Sequence, residues 1–223
     1  LRPFVELNPY REVLSKANEF VGYLPNAETV EPDTKLGLDD MFELVRKADE
    51  DYRTLQEKKE KLKQKIEEYR AKQQIVAPFR PLECDLHRVL HYRYITYRFG
   101  RIAVEFYHKM QKYLMDDLKA IFVEGERDES YVYGVYFVSQ AETQKVDAVF
   151  RSLHFERIEL KDEFEGTPDT AYRVLENEIA RVNLEIEDLD KQAGEMLADR
   201  APQLVAARDR LEELSNKSEA KRS

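Results

Sequence analysis

The sequence predicts an α+β protein in which a long antiparallel two-helix coiled coil carries a ferredoxin-like βαββαβ lobe at its tip. Two distant stretches have apolar residues at alternating steps of three and four, and the stretch between them alternates like β-strands. The composition agrees, because 36% of the 223 residues are charged and only 7 are glycine. Such a chain suits long solvated helices better than a deep core.

The first heptad pattern begins at Leu38 and ends before Pro78, which cannot continue a helix. At about 1.5 Å per residue, a helix over this stretch would be roughly 58 Å long. Its seam positions are Leu38, Met41, Val45, Ala48, Tyr52, Leu55, Lys59, Leu62, Ile66, Tyr69, Gln73 and Val76.

The second heptad pattern follows Thr167 and Pro168, which supply a helix N-cap hydroxyl and a first-turn proline. Its seam positions are Tyr172, Leu175, Ile179, Val182, Ile186, Leu189, Ala193 and Met196. Beyond Met196 the phase slips, and we predict a kink or break near Pro202.

Each apolar seam needs a partner, since an amphipathic helix is stabilised mainly by tertiary packing. The two helices run outward and back, so antiparallel pairing with each other is the simplest solution. The residues predicted to hold the pair together are Leu55, Leu62, Ile66, Ile179, Val182 and Ile186.

The inserted lobe is predicted over residues 78–160. After a short helical stretch, its pattern indicates six elements in the order βαββαβ, which is that of the ferredoxin-like split unit. The strands are predicted at 92–99, 120–124, 131–138 and 155–160, the helices at 103–115 and 141–153, and Gly100 is predicted to break the first strand.

These patterns divide the chain into five parts. They are 1–36, a short helix and loop from a proximal region; 37–77, the outgoing helix; 78–160, the lobe; 161–200, the returning helix; and 201–223, a helix after the kink. The helix predicted at 10–24 has an apolar face that must dock on the far helix or on a segment absent from this sequence. The start at Leu1, without a methionine, suggests a fragment of a longer protein.

Alternation along the first predicted strand creates two faces. The face with Arg93, Ile95, Tyr97 and Phe99 is the more apolar and is assigned to the helices of the lobe. We therefore predict that Tyr92, Tyr94 and Arg98, on the other face, contact a partner protein.

Composition argues against several classes of function. A net charge of −9 is unfavourable for a general binder of nucleic acid or anionic membrane, no apolar run is long enough to span a bilayer, and the single Cys84 fits a reducing, cytoplasmic setting. Asp85, His87 and His91 lie near Cys84, but a polar helix edge explains them better than a metal site. The glycines are isolated and form no phosphate-binding loop, so we predict no cofactor and no catalytic residue.

An RNA-binding alternative rests on the aromatic residues of the lobe, because RNA-recognition domains stack bases on the first and third strands of a similar sheet. The residues concerned are Tyr92, Tyr94, Tyr97, Tyr131, Tyr133 and Tyr136. Against it, residues 78–160 contain 12 Lys and Arg and 13 Asp and Glu, so phosphate attraction is weak. A stand-alone coiled-coil scaffold is a third alternative.

Three segments in order suggest a family. FRPLECDLHRVLHYRYITYRFGRI (79–102), YGVYFV (133–138), and FERIEL followed by FEGTP (155–168) resemble the cytoplasmic half of subunit I of bacterial and archaeal V-type ATPases, similar to eukaryotic subunit a. The resemblance extends roughly over 79–196.

The resemblance implies two α/β lobes joined by a coiled coil and gripped by peripheral-stalk subunits E and G, with the C/d component of the central stalk as a further candidate partner. It implies a stator at the cytoplasmic face of the cell membrane that couples ATP turnover to proton or sodium transport. The sequence departs from the family pattern in two respects: the proximal lobe lacks its opening strand and helix, and the ion-conducting membrane half is not in this sequence. No residue is therefore assigned to ion transfer. Both ATP synthesis and ATP hydrolysis remain open as the direction of the reaction.

Overall fold

The computed structural model describes residues 8–113, 117–161 and 163–221. Its contacts divide the chain into two compact units. The first comprises Leu1–Gln64 and Asn183–Ser223, and the second comprises Lys65–Val182. Two long helices contribute residues to both units.

Those helices are α2 (Leu38–Val76) and α6 (Pro168–Asp199), and α2 has the bounds that the heptad pattern predicted. The Thr167 hydroxyl accepts a hydrogen bond from the Thr170 N–H at 3.1 Å, which is the predicted N-cap. Every predicted seam position of both helices is buried or half-buried, whereas most positions between them are exposed. The three-and-four spacing therefore identified the inward face of each helix.

In the first unit, α1 (Arg11–Gly22) packs against α2 and α7 (Ala201–Ala220). This answers where the apolar face of the first helix docks, a point that the sequence left open. The buried cluster consists of Ala17, Phe20, Val21, Leu24, Met41, Val45, Ala48, Leu197, Ala201, Leu204, Val205, Ala206, Ala207 and Leu211. A buried hydrogen bond from Asn8 Nδ2 to Ser215 Oγ, 2.9 Å, ties the N-terminal end of the described chain to α7.

The returning helix breaks at Arg200, whose backbone angles (φ −102°, ψ 5°) lie outside the helical range. Pro202 is then in the first turn of α7, where its missing N–H leaves no hydrogen bond unmade. The break lies two residues before the proline near which it was predicted.

Two ion pairs give the direction of α6 relative to α2 within the first unit. Arg200 Nη2 lies 2.7 Å from Asp51 Oδ2, and Lys59 Nζ lies 2.7 Å from Asp190 Oδ1. As the residue number rises along α2, that of the partner falls, so the helices pair antiparallel there.

The second unit contains a four-stranded antiparallel sheet in the order β2-β3-β1-β4. Its elements are α3 (Leu86–Leu90), β1 (Ile95–Ala103), α4 (Val104–Tyr113), β2 (Ala120–Arg127), β3 (Tyr131–Ser139), α5 (Thr143–Ser152) and β4 (Glu156–Arg157). Short 3₁₀ turns lie at Ala77–Phe79 and Gln140–Glu142. From β1 onward this is the predicted βαββαβ order, with a last strand of only two residues.

Both faces of the sheet are covered. On one face, α4 and α5 enclose a cluster that includes Ile102, Met110, Val132, Tyr136 and Phe150. On the other, the end of α2, the turn after it, α3 and the start of α6 bury a second set of side chains. That set comprises Val76, Phe79, Leu82, Leu86, Val89, Phe99, Val135, Leu160, Phe164, Ala171 and Leu175.

The structure corrects the bounds of two strands. β1 runs over Ile95–Ala103 rather than 92–99, and it continues through Gly100, which was predicted to break it. The final strand is limited to Glu156–Arg157 instead of 155–160, because after Arg157 the Ile158 N–H makes one more hydrogen bond to β1, at the Phe99 carbonyl oxygen, and Leu160 then enters the core. The helix predicted at 103–115 is α4, and positions 114 and 115 lie outside the described residues.

Candidate docking surface

The three predicted partner-contacting residues fall in two different environments. Tyr92 and Tyr94 lie in the segment before β1 and are 46% and 77% exposed. Arg98 lies within β1, and its side chain is directed to the face that α5 covers. The structure thus presents the two tyrosines to solvent, whereas Arg98 has a partner within the lobe.

That partner is Asp147 of α5, which holds two arginines and one tyrosine. Its Oδ2 lies 3.2 Å from Arg98 Nη2 and 3.1 Å from Arg157 Nη2. Its Oδ1 accepts a hydrogen bond from the Tyr136 hydroxyl at 2.6 Å. Asp147 therefore joins α5 to β1, β3 and β4 through charge-assisted bonds.

The sequence analysis missed Asp147 and Arg157. A signal existed, because Asp147 follows Val146 and precedes Phe150 by three positions, which places a carboxylate at the border of the apolar stripe of α5. A single acid in that position indicates an internal partner, although the pattern does not say which cation provides it.

The pKa of Asp147 reflects competing causes. Burial alone would raise it, but the hydrogen bonds from Tyr136 and Arg98 and the charges of Arg98 and Arg157 outweigh burial, so the pKa lies below its usual value. Burial and the bond to Asp147 together raise the pKa of Tyr136 well above its usual value. The carboxylate is thus ionised and the phenol protonated at neutral pH.

We expect Asp147→Asn to destabilise the protein by about 2 kcal/mol at pH 7, because two arginines lose their shared anion. Since the folded-state pKa is depressed, the contribution is present above the unfolded-state value of about 4 and is lost as the pH falls through the folded-state pKa. Urea unfolding at pH 7 and at pH 3 should therefore show a wild-type advantage that shrinks at the lower pH. Glu83→Gln, at an exposed position, is the control and should change stability little at either pH.

A cleft of about 650 Å³ opens beside the first half of β1. The cleft is lined by Leu90, Tyr92 and Arg93 before β1, by residues of β1 from Ile95 to Phe99, and by the chain from Arg157 to Leu160. The exposed tyrosine Tyr92 and the arginine cluster therefore border the same depression.

The tyrosines that raised the RNA-binding alternative do not form an open stacking platform. Tyr136 is 1% exposed, and its ring stacks on Phe150 at 3.8 Å beneath α5. Tyr97 and Tyr133 lie on the other face, where they pack against the buried cluster around Phe79. The sheet face that would offer its rings to bases is largely occupied by the protein itself.

The residues near Cys84 have local structural contacts. Asp85 caps α3 by accepting a hydrogen bond from the Arg88 N–H at 3.1 Å, and His91 Nδ1 lies 2.7 Å from the His87 carbonyl oxygen. Burial raises the pKa of the Cys84 thiol, which makes it a poorer nucleophile. Within the described part of the chain, no three His, Cys, Asp or Glu side chains are grouped in a way that could hold a metal ion.

The six predicted seam residues all lie on the inward faces of α2 and α6. Ile66 and Val182, in the second unit, are 5% and 2% exposed. The remaining four are half-buried, and they are Leu55, Leu62, Ile179 and Ile186. In the second unit, Gln73 Nε2 donates to the Tyr172 carbonyl oxygen at 3.4 Å, so polar contacts supplement an apolar seam.

Comparisons with known proteins place the fold. No family model matches the chain, and no curated protein matches it. Among solved structures, it is similar to the crystal structure of the cytoplasmic N-terminal domain of subunit I, homolog of subunit a, of V-ATPase. The match has a TM-score of 0.51 and 14% identity, and covers 99% of this chain and 74% of that one. The chain has the fold of that domain.

The resemblance to subunit I that the three sequence segments suggested is thus confirmed at the level of fold. The match covers more than the lobe motifs, because residues 79–196 alone could not account for 99% of the chain. None of the helices in the described residues combines the length and the apolar character required to cross a membrane.

Proposed function

We propose that this chain is a non-catalytic stator component of a rotary V-type ATPase, the cytoplasmic arm of its membrane subunit. The observation that carries the proposal is the fold shared with the cytoplasmic domain of subunit I over 99% of the chain. Three ordered sequence segments point independently to the same family. In this role the protein would support the coupling of ATP turnover to proton or sodium transport at the cytoplasmic face of the membrane.

The long helices suit a part that bears load. A single helix is marginally stable in water and bends, whereas two helices that share an apolar seam stabilise each other. In α2 and α6, buried seam residues such as Ile66 and Val182 are accompanied by ion pairs such as Lys59 with Asp190. These contacts would resist separation of the helices under torque.

For partners, we propose the peripheral-stalk subunits E and G, with the C/d component of the central stalk as a further contact. The exposed tyrosines Tyr92 and Tyr94 support an attachment site on the lobe, because aromatic residues are enriched in protein interfaces. Arg98 would contribute indirectly, since its guanidinium already binds Asp147. The chain described here would not itself enter the membrane.

Capture by a purified E–G stalk heterodimer tests the proposal. We expect the wild-type chain to bind and Tyr92→Ala/Tyr94→Ala to bind at least about tenfold more weakly, as the loss of interface aromatics commonly costs more than about 1 kcal/mol. Tyr23→Ala, at a 52% exposed tyrosine in the other unit, is the matched control. Absence of binding by the wild type, together with stable homodimers, would contradict the stator role and favour a stand-alone scaffold; salt-sensitive RNA binding would favour the nucleic-acid alternative.

A further inference from the structure

β2 is an outer strand of the sheet, and β3 pairs with one of its two sides. The register with β3 is regular from Ala120 to Glu124, and a bulge interrupts it between Glu124 and Arg127. Within the described residues, no strand lies along the other side of β2. The stretch from Ala120 to Glu124 therefore forms a regular outer edge.

The hydrogen bonds of β3 show which groups of β2 are already used. The Gln140 N–H, directly after β3, donates to the Tyr94 carbonyl oxygen of the segment before β1 at 3.0 Å. Because the backbone groups of alternate residues point the same way, the even-numbered residues of β3 face β1 and the odd-numbered ones face β2. Phe137 is therefore bonded to Ile121, its register partner in β2.

The remaining backbone groups of β2 point away from the sheet. By the same alternation, Ile121 and Val123 direct their N–H and C=O groups to β3. Ala120, Phe122 and Glu124 direct theirs outward. In the described part of the chain, no hydrogen bond reaches these outward groups. Each of the three residues can therefore offer one donor and one acceptor to an added strand.

The side chains beside this edge are apolar. Ile121 and Val123 lie on one face of β2 and are 66% and 40% exposed. Edge strands of natural proteins commonly carry charges or proline, because an apolar edge pairs with other chains. On the opposite face, the Phe122 ring lies 5.6 Å from the Tyr107 ring, so α4 covers that side. The exposed β-branched face thus favours pairing with another strand.

The two ends of the edge differ in charge. Lys119 precedes β2 with a 78% exposed side chain, and its Nζ lies 3.6 Å from Glu142 Oε1, a surface contact that leaves the ammonium accessible. At the other end, Glu126 is exposed, and Glu124 pairs with Arg127 at 2.8 Å. A positive charge therefore precedes the edge, and a negative charge follows it.

We propose that the outer edge of β2 binds an extended segment of a partner protein, which adds to the sheet as an antiparallel strand. Main-chain hydrogen bonds to Ala120, Phe122 and Glu124 supply affinity, and contacts with Ile121 and Val123 supply specificity. The inference rests on the proposed function in assuming that the lobe holds other subunits, and it names the kind of segment that is held.

The register of β2 defines the sequence of that segment. Residues opposite Ile121 and Val123 form non-hydrogen-bonded pairs with them, in which side chains lie closest, and β-branched apolar residues fit there. An antiparallel segment begins beside Glu126 and ends beside Lys119, so charge complementarity favours a basic first residue and an acidic last one. The expected occupant has the pattern Lys-Thr-Val-Thr-Val-Thr-Glu, in which the two valines lie opposite Val123 and Ile121.

Fluorescence anisotropy with this labelled peptide tests the inference. We expect it to bind the purified chain, and its charge-reversed counterpart Glu-Thr-Val-Thr-Val-Thr-Lys to bind several-fold more weakly. Equal binding of the two peptides would overturn the antiparallel direction, because the reversed peptide matches the end charges only as a parallel strand.

A substitution on the edge tests the same binding from the side of the protein. Ile121→Lys should weaken binding at least about tenfold, since a charge on an edge strand opposes pairing. Val174→Lys, at a 54% exposed valine of α6 in the same unit, is the matched control and should leave binding unchanged. Both variants should unfold within a few degrees of the wild type, because both positions are exposed. Binding by the Ile121→Lys variant as tight as that of the wild type would overturn the proposal.

Backbone methylation separates strand addition from docking by side chains. Methylation of the three threonine amides of the peptide, which face β2, should abolish binding. Methylation of the two valine amides, which face away from β2, should not. Equal binding of both methylated peptides, or no binding of the unmodified one, would overturn the proposal.

Hydrogen exchange locates the added strand on the protein. Without peptide, the amides of Ile121 and Val123 should exchange slowly because they are bonded to β3. The amides of Ala120, Phe122 and Glu124 should exchange fast until the peptide binds, which should slow them at least about tenfold. Protection of the same three amides on concentrating the chain alone would show that a second copy occupies the edge, and would overturn the partner segment.

The stalk heterodimer distinguishes this inference from the proposed function. If the heterodimer binds the chain while the peptide does not, the stator role stands and the edge inference fails. If the peptide binds while the heterodimer does not, the edge inference stands and the stator role fails.

Discussion

Replacing Leu62 and Ile186 together by glutamate is expected to separate α2 and α6 in the first unit. The Lys59–Asp190 ion pair places the two residues at the same level of the antiparallel helices, one turn away. Both side chains are half-buried, and losing each costs about 1 to 1.5 kcal/mol of apolar burial. Adding the repulsion between two facing carboxylates, we expect a loss of about 3 kcal/mol or more.

Thermal unfolding followed by circular dichroism and the hydrodynamic radius from light scattering would measure the effect. The control is Gln64→Glu/Leu184→Glu, which introduces two carboxylates at exposed positions of the same helices. We expect the control to unfold within a few degrees of the wild type. An unchanged midpoint and radius in the Leu62/Ile186 variant would show that this seam does not hold the helices together.

Gly100→Ala adds a single methyl group to the lobe. We expect this methyl group to lower the stability of the lobe more than one added at any other position. A Cβ at position 100 would lie 2.5 Å from Phe155 Cζ and closer still to the carbonyl oxygen of Glu156. Phe155 packs edge-on against Tyr136 and Phe150, with ring centroids 5.1 and 5.4 Å away, so the ring has little room to move. We expect a loss of about 3 kcal/mol, at the upper end of overpacking effects.

Urea unfolding would measure the loss of stability. Hydrogen exchange of the β1 amides would show where the structure opens, and we expect β4 to detach first. Gly194→Ala is a chemically matched control, because nothing lies within 4 Å of a Cβ at that position of α6. It should stabilise its helix by up to about 1 kcal/mol, since glycine is a poor helix former. If Gly100→Ala changed stability as little as Gly194→Ala, Phe155 and Glu156 would not lie as close to β1 as described.

Much of the helical structure was predictable because its signals are local. The three-and-four repeat identified the inward faces of α2 and α6, and Thr167 and Pro168 marked the start of α6. The βαββαβ order followed from changes in periodicity along 92–160. The kink predicted near Pro202 corresponds to a break at Arg200, because proline is tolerated inside the first turn of the following helix.

The candidate site was predicted less completely. Tyr92 and Tyr94 are exposed, whereas Arg98 is half-buried on the face that α5 covers and binds Asp147, and contact of the three residues with a partner stays a prediction. Alternation separates the two faces of a strand without saying which helix covers each one. The pairing of Arg98 and Arg157 with Asp147 joins residues that are far apart in sequence, and no local pattern encodes it.

The sequence alone determined the elements that depend on neighbouring residues, namely two long amphipathic helices, their seams and the order of strands and helices in the lobe. Only the tertiary structure decided where α1 docks, that β1 passes through Gly100, and that β4 stops after two residues. The physical reason is the distance along the chain over which each feature is decided. Helical periodicity is set within a few turns, whereas strand limits and buried ion pairs depend on what packs beside them.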